Sequence, residues 1–313
     1  MWRPWRISPV SYRVVRHALG VIRLRSDSSR LRDIANYYLE TRFDYRLAWT
    51  HRPVFALHLG YWDETTRNHA GAQANGNRQM AIRAELQPGQ LVLDAGCGVG
   101  GTAVWLAENY GVRVTGITIV HDQAVRARRW ANRRGREDTI SVSLQDYLET
   151  AFPENTFDAV VAMESSGHTP HKHAFLAEAY RVLKPGGRLV VEDGFRPDRP
   201  YSEEEARFQA SWLSDFFVAP LPTTDEFAAT AREVGFEGVV VEDCTANYVR
   251  SSQRLYRMVR CAYPWAAALH ALGIRSDVQH GNARAARDQW LGLKRGLWLF
   301  GIVTARKPLA SAK

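Results

Sequence analysis

The sequence predicts an α/β fold with a mostly parallel sheet, and three observations carry that prediction. Short apolar runs of strand length alternate with helix-length segments for about 150 residues after the turn Pro88-Gly89. The first run, Leu91-Val92-Leu93, enters a glycine loop, Asp94-Ala95-Gly96-Cys97-Gly98-Val99-Gly100-Gly101, that opens a helix. Among 313 residues, 45 % hydrophobic and 24 % charged residues suit a full core and exclude disorder or collagen-like repetition.

The elements follow in order. Residues 1–26 carry Trp2, Trp5, Val14, Val15, Leu19, Val21 and Ile22 among arginines, with no acid before Asp27. Such a basic amphipathic arm fits an anionic membrane surface or a transit peptide, and equally an arm packed on its own protein or a neighbouring subunit. Arg13, Arg16 and Arg23 interrupt every apolar run there, so no secretory signal is expected. From Ser28 to about Leu39 the pattern is helical, with Leu31, Ile34, Ala35 and Tyr38 on one face. An aromatic segment ends in His58-Leu59-Gly60-Tyr61-Trp62-Asp63, and a polar helix with Met80, Ile82 and Leu86 on one side follows.

Strands are then expected at Leu91–Leu93, Val112–Ile117, Ile140–Leu144, Phe157–Met163 and Arg188–Glu192. Helices are expected at Thr102–Glu108, His121–Arg134 and Ala174–Leu183, the last ended by Lys184-Pro185-Gly186-Gly187. Gly238–Val241 and Leu297–Ala305 would complete the sheet. The helical, aromatic stretch Thr245–Gly296 between them is too long for a connection and reads as a lid. The domain boundaries are accordingly 1–62 for the arm and helical extension, 63–244 with 297–313 for the core, and 245–296 for the lid.

Cys97, Cys244 and Cys261, with no CxxC pair, argue against a disulfide framework or a zinc ribbon and for a reducing, cytoplasmic setting. The apolar stretch Cys261–Ile274 is too short to span a bilayer. Net charge is +8, but arginine outnumbers lysine 36 to 5 throughout, a bias of codon composition rather than of nucleic-acid binding.

The glycine loop reads GxGxG where a dinucleotide fingerprint needs GxGxxG. Asp94 at the strand end accepts from an ammonium group, and the helix N-terminus behind the loop favours a carboxylate. Together they suit an amino-acid zwitterion such as the methionine part of S-adenosylmethionine. A glycine turn with no ligand is the bland alternative.

From about Gly60 to Pro308 the chain resembles the class I S-adenosylmethionine-dependent methyltransferases, whose fold is Rossmann-like with seven strands. More closely it resembles the branch of sterol C24-, tocopherol and terpenoid or prenyl diphosphate methyltransferases. Val114-Thr115-Gly116-Ile117-Thr118-Ile119 with Gln123 is similar to that branch's GITLSxxQ signature, with Val120 and His121 in place of Ser-Pro. Met163-Glu164-Ser165-Ser166-Gly167-His168-Thr169-Pro170 is similar to its motif after the fourth strand, and Phe300-Gly301-Ile302-Val303-Thr304-Ala305-Arg306-Lys307-Pro308 to its last strand.

The resemblance implies S-adenosylmethionine held by Asp94, Gly96, Cys97, Gly98, Gly100, Thr118, Gln123, Asp146 and Tyr147. No acid ends the second strand to hold the ribose, a task the branch shares with the residue matching Gln123. Asp146 matches the acceptor for the adenine amino group, and a loop acid is the alternative.

Glu164, at the carboxyl end of an apolar strand, is the candidate base. Methylating an alkene leaves a carbocation that must lose a proton, and a partly desolvated glutamate takes protons near neutral pH. His168 is a candidate to bond Glu164 or the substrate, with a satisfied structural histidine as the alternative. Tyr61, Trp62, Trp212, Phe216, Phe217 and Tyr248 are candidates to roof the site, where ring faces stabilise a cation, or to pack in the core.

Arg250, Arg254 and Arg257 recur at i, i+4 and i+7, a face suited either to a diphosphate or to solvent. A diphosphate would bring Mg²⁺ bound through its own oxygens, with no protein metal site. The expected function is C-methylation of a small isoprenoid, with O- or N-methylation of a small natural product as the alternative. A small lipophilic substrate is the expected partner. Peripheral membrane contact through the arm and homo-oligomerisation stay open.

Overall fold

The structure is a computed structural model that describes residues 28–48 and 54–310. The basic arm expected over residues 1–26 lies outside the described residues.

Seven strands form one sheet: β1 (Leu91–Ala95), β2 (Arg113–Thr118), β3 (Ile140–Leu144), β4 (Phe157–Met163), β5 (Leu183–Phe195), β6 (Glu237–Asp243) and β7 (Leu299–Arg306). Their order is β3-β2-β1-β4-β5-β7-β6. The first five run parallel, and β7 lies antiparallel between β5 and β6. The chain winds outward from β1 to β3, then returns to set β4 on the other side of β1. In an open α/β sheet the carboxyl ends at such a reversal form the ligand crevice.

Nine helices are described: α1 (Ser28–Ala48), α2 (His69–Arg83), α3 (Gly101–Tyr110), α4 (His121–Arg133), α5 (Lys172–Val182), α6 (Glu203–Asp215), α7 (Thr224–Val234), α8 (Thr245–Ala271) and α9 (Asp277–Lys294). The central strands are apolar along their length because helices cover both faces. In β4, Ala159, Val161 and Met163 enter the core shared with α2, α3 and α4, while Val160 and Ala162 enter the core shared with α5 and α7. The remaining helices roof the carboxyl ends: α9 packs on α1, α6 and α8.

Several boundaries differ from expectation. The first helix continues to Ala48 rather than ending near Leu39, because its second half is held against α9 and the turn before it: Asn282 Nδ2 donates to Asp44 Oδ2 at 3.1 Å, and Asp44 pairs with Arg275 at 2.7 Å. Met80 and Leu86 are buried as expected, but Ile82 is exposed. The Lys184-Pro185-Gly186-Gly187 turn lies inside β5, where the register against β4 shifts. Helices α6 and α7 answer to capping boxes at Ser202/Glu205 and Thr223/Glu226.

Candidate active site

A cavity of about 620 Å³ lies between the carboxyl ends of β1 and β4 and the helices α1, α8 and α9. The glycine loop builds its inner wall, turning through Gly96 (φ 102°), Gly98 (φ 51°) and Gly100 (φ 84°) in the left-handed region. A Cβ on Gly96 would stand 2.4 Å from the Ser165 Cβ, and one on Gly100 2.9 Å from the Ala127 Cβ, so close packing requires both glycines. Gly100, the N-cap of α3, therefore braces the loop from outside the cavity lining. At Gly98 a Cβ would meet only the Leu57 side chain, and the backbone borders the cavity itself.

Asp94 is buried, and its Oδ2 has no hydrogen-bond partner. Burial pushes its carboxyl up to about 7. An orphaned buried acid beside a glycine loop fits the ammonium of a bound amino-acid group, which would restore its charge. At the next strand end, Thr118 Oγ1 donates to Gln123 Oε1 at 2.8 Å. Asp146 Oδ1 accepts from the Leu148 N–H at 3.0 Å, which fixes a carboxyl that also borders the cavity. Tyr147 donates to the Ser165 carbonyl at 3.2 Å and stands edge-on to Phe175. The fold thus brings Asp94, Gly96, Cys97, Gly98, Thr118, Gln123, Asp146 and Tyr147 to one wall.

Glu164 follows β4 at φ 47°, a backbone state that costs a residue with a side chain about 1–3 kcal/mol. Its N–H donates to the Glu192 carbonyl at 2.8 Å, and its Oε1 accepts from the Leu59 N–H at 2.6 Å. These two bonds hold the carboxyl in the cavity wall. Burial, then the neighbouring Glu192 carboxyl, push it well above the usual range; burial pushes Glu192 itself up to about 8.

His168 bonds elsewhere than to Glu164. Its Nδ1 faces the Phe217 carbonyl at 3.0 Å and its Nε2 the Tyr38 hydroxyl at 2.7 Å. A carbonyl only accepts, so Nδ1 carries the proton and Nε2 accepts from Tyr38. Burial lowers the imidazole pKa and keeps the ring neutral. Asp193 fixes the turn carrying His168, accepting from Ser166 Oγ at 2.7 Å and the Gly167 N–H at 2.8 Å. From sequence, Tyr38 reads as packing on a helical face; no local signal marks a bond to a residue 130 positions later.

The outer half of the cavity is apolar. On α8, Leu255, Met258, Val259, Ala262, Ala266 and Leu269 face it at helical spacing. Trp212 and Phe216 line it as expected. The other roof residues do not. Tyr61 stands edge-on to Tyr248, which is fully buried and stacked on Phe300 at 4.5 Å. Trp62 donates to Ser251 Oγ at 2.9 Å, with the Arg250 guanidinium 4.0 Å over its ring. These aromatics clamp the start of α8. Phe217 gives its carbonyl to His168, and its ring packs on Tyr37 at 5.3 Å.

Arg254 and Arg257 also lie outside the lining. Arg254 is half-buried beside the apolar stripe, and Arg257 is exposed in a shallow groove with Arg260 and Lys294. Among the described residues the two arginines in the cavity wall are engaged: Arg30 donates to the His168 carbonyl at 2.7 Å, and Arg275 pairs with Asp44. Among the described residues no His, Cys, Asp and Glu cluster suits a metal ion. No described helix is long and apolar enough to cross a membrane.

The profile of the family described as mycolic acid cyclopropane synthetase matches residues 33–267. The 27-O-demethylrifamycin SV methyltransferase of Amycolatopsis mediterranei (strain S699) is 34 % identical over 253 residues, 80 % of this chain and 90 % of its own. The cyclopropane synthase MmaA2 from Mycobacterium tuberculosis superposes with a TM-score of 0.77 at 19 % identity, covering 88 % of this chain and 98 % of its own. The geranyl diphosphate C-methyltransferase from Streptomyces coelicolor A3(2) superposes with a TM-score of 0.68 at 18 % identity, covering 89 % and 97 %. Both structures are likenesses of fold. With its strand order, glycine loop and orphaned Asp94, the chain belongs to the mycolic acid cyclopropane synthetase family and is a class I S-adenosylmethionine-dependent methyltransferase.

Proposed function

We propose that the protein methylates a hydroxyl oxygen on a small, uncharged, lipophilic acceptor. The observation that carries this reading is the Tyr38–His168 pair in the wall of a cavity whose outer half is apolar. S-adenosylmethionine, when bound, supplies an electrophilic methyl group. The glycine loop and Asp94 would hold its amino-acid end, and Gln123 and Asp146 would hold the nucleoside. Tyr38 can accept the acceptor's hydroxyl proton while passing its own to His168 Nε2, a general-base relay. The imidazolium so formed keeps its Nδ1–H on the Phe217 carbonyl, and the Asp193 carboxylate favours that charge against burial and the Arg30 and Lys172 cations, which oppose it. The cavity-facing aliphatic side chains of α8 and the engaged arginines support an uncharged acceptor. The rifamycin relative, whose name marks an oxygen as its methylation site, supports the oxygen reading.

A specific observation favours a second reading, methylation of an isoprenoid carbon. Glu164 is held in a costly backbone conformation that aims its carboxyl into the cavity, where it would take the proton an alkene must shed. Trp212 and Phe216 would face the cation. His168→Gln and Glu164→Gln separate the two, assayed with labelled cofactor and mass spectrometry on paired hydroxyl-bearing and alkenyl acceptors. The oxygen reading expects His168→Gln to lose methyl-ether formation by about 10²–10⁴-fold while Glu164→Gln keeps most of its rate. The opposite pattern, with a carbon-methylated product, replaces it by the carbon reading. Full activity in both variants removes both.

A further inference from the structure

Two tyrosine hydroxyls in the cavity wall have already spent their protons. Tyr38 and Tyr45 project from one face of α1, two turns apart, with ring centroids 5.6 Å from each other, and both line the cavity. Burial raises both phenol pKa values, that of Tyr45 to about 12, so each hydroxyl keeps its one proton at neutral pH. Tyr38 gives its proton to His168 Nε2, because the His168 Nδ1–H is taken by the Phe217 carbonyl.

For Tyr45 the direction is set from α9. Asp44 is gripped by two nitrogens of Arg275, at 3.1 and 2.7 Å. Its Oδ2 lies 3.1 Å from the side-chain amide of Asn282, and a carboxylate only accepts, so the amide nitrogen faces it. The amide oxygen therefore faces the buried Tyr37 hydroxyl at 2.7 Å, and Tyr37 must donate to it. With that proton spent, Tyr37 can only accept from Tyr45, 2.9 Å away. The row Tyr45–Tyr37–Asn282 thus runs one way, toward Asp44. Among the described residues nothing donates to the hydroxyl of Tyr38 or of Tyr45. Each oxygen offers the cavity lone pairs and no proton.

A wall with two such oxygens selects a ligand with two donors, since an oxygen left unmatched there is costly. We propose that the acceptor is a diol: one hydroxyl is methylated at Tyr38, and the other donates to Tyr45 and leaves unmethylated. At the first, the O–H bond breaks as the O–CH₃ bond forms at the expense of the cofactor's S–CH₃ bond. The proton passes through Tyr38 to His168 Nε2, and a neutral thioether is left. The inference rests on the oxygen reading and adds its selectivity. A monomethyl ether brings one donor only, so transfer stops after a single methyl group.

Binding to the full chain with S-adenosylhomocysteine is measured for the 1,2-, 1,3- and 1,4-benzenediols bearing a hexyl chain, for their monomethyl ethers and for hexylphenol. At least one diol should bind about tenfold more tightly than both hexylphenol and its own monomethyl ether. Tyr45→Phe should bring the three affinities to within about twofold of one another. Tyr37→Phe frees the Tyr45 proton to turn into the cavity, so the monomethyl ether should gain about fivefold on the diol. Packing damage would weaken all three probes together and leave their ratios alone.

Diols that bind no more tightly than hexylphenol overturn the proposal. So does a preference that survives Tyr45→Phe or is unmoved by Tyr37→Phe. Methyl ethers formed without any diol preference sink the two-hydroxyl acceptor alone. A diol preference that depends on Tyr45, with no methyl ether formed, sinks the oxygen reading alone.

Discussion

Asp94 is the residue whose charge state must change most when an ammonium group arrives. Its carboxyl sits near pKa 7 because nothing solvates it, so about half of it is protonated at neutral pH. Binding a cation requires the ionised form. Cofactor binding near pH 7 should therefore release a proton, and affinity should fall about tenfold per pH unit below 7. Calorimetry in buffers of different ionisation enthalpy reads that proton directly. Asp94→Asn should bind more weakly with no buffer dependence, and a buffer-independent parent would exclude Asp94 as the ammonium partner.

The neighbouring glycines separate fold from binding. Gly96→Ala places a methyl 2.4 Å from Ser165 in a left-handed turn, so both thermal stability and cofactor affinity should drop. Gly98→Ala meets only a movable leucine, so its conformational cost of about 1–2 kcal/mol should appear mainly in cofactor affinity. Thermal melts with and without cofactor compare the two. This wall was legible from sequence because it is local: one strand, one loop and one helix start. The Tyr38–His168 bond was not, because only the completed tertiary fold creates it.

At the scale of the element, α8 shows why a correct period is insufficient. Arg250, Arg254 and Arg257 do share a helical face, as their spacing predicts. A second stripe, from Leu255 through Met258 and Ala262 to Ala266, has the same period and wins the interior because it is apolar. Tyr61, Trp62 and Tyr248 failed as roof residues for a related reason: aromatics near a site in sequence can brace a lid helix instead of facing its ligand.

The first helix carries the complementary lesson, since its length is set by partners on α9 rather than by its own pattern. Asp44→Asn should leave the Arg275 guanidinium uncompensated where both side chains are mostly buried. Local destabilisation of about 1–3 kcal/mol should follow, seen as faster amide exchange in the second half of α1. The KM for the acceptor should rise while cofactor affinity holds. Unchanged exchange in α1 would mean that this ion pair does not anchor the roof.

For the whole molecule, His58 sets an acid limit. Burial holds its imidazole near pKa 4, against 6.5 when unfolded. The unfolded chain therefore binds more protons between those values, and stability must fall as pH drops through that window. The loss amounts to about 2 kcal/mol between pH 7 and 5, and about 3 kcal/mol by pH 4. Asp94 and Glu192 act in the opposite sense. Their raised folded pKa values favour the native state at lower pH, a contribution lost as pH rises through about 7 and about 8. Denaturant unfolding of the parent and of His58→Gln at both pH values isolates the histidine, because the carboxyls cancel in the difference. A variant with the same pH slope as the parent would show that His58 is not the group responsible.

The sheet that carries these groups was foreseeable from alternation of apolar runs, since buried parallel strands tolerate little else. Alternation of apolar runs does not mark helices α6 and α7, although their capping boxes are written in the sequence.

The lid leaves the sheet after β6 and returns at β7, two adjacent antiparallel strands, and the Cys244 N–H meets the Phe300 carbonyl at 2.9 Å across its base. In polymer terms the scaffold has already joined the ends of this loop. Doubling its length would cost the sheet only about 0.6 kcal/mol in closure entropy. Helices here can be lengthened, trimmed or exchanged by insertion and recombination while the glycine loop and its acid stay where they are. The stretch most tolerant of rewriting is the one that lines the outer half of the cavity.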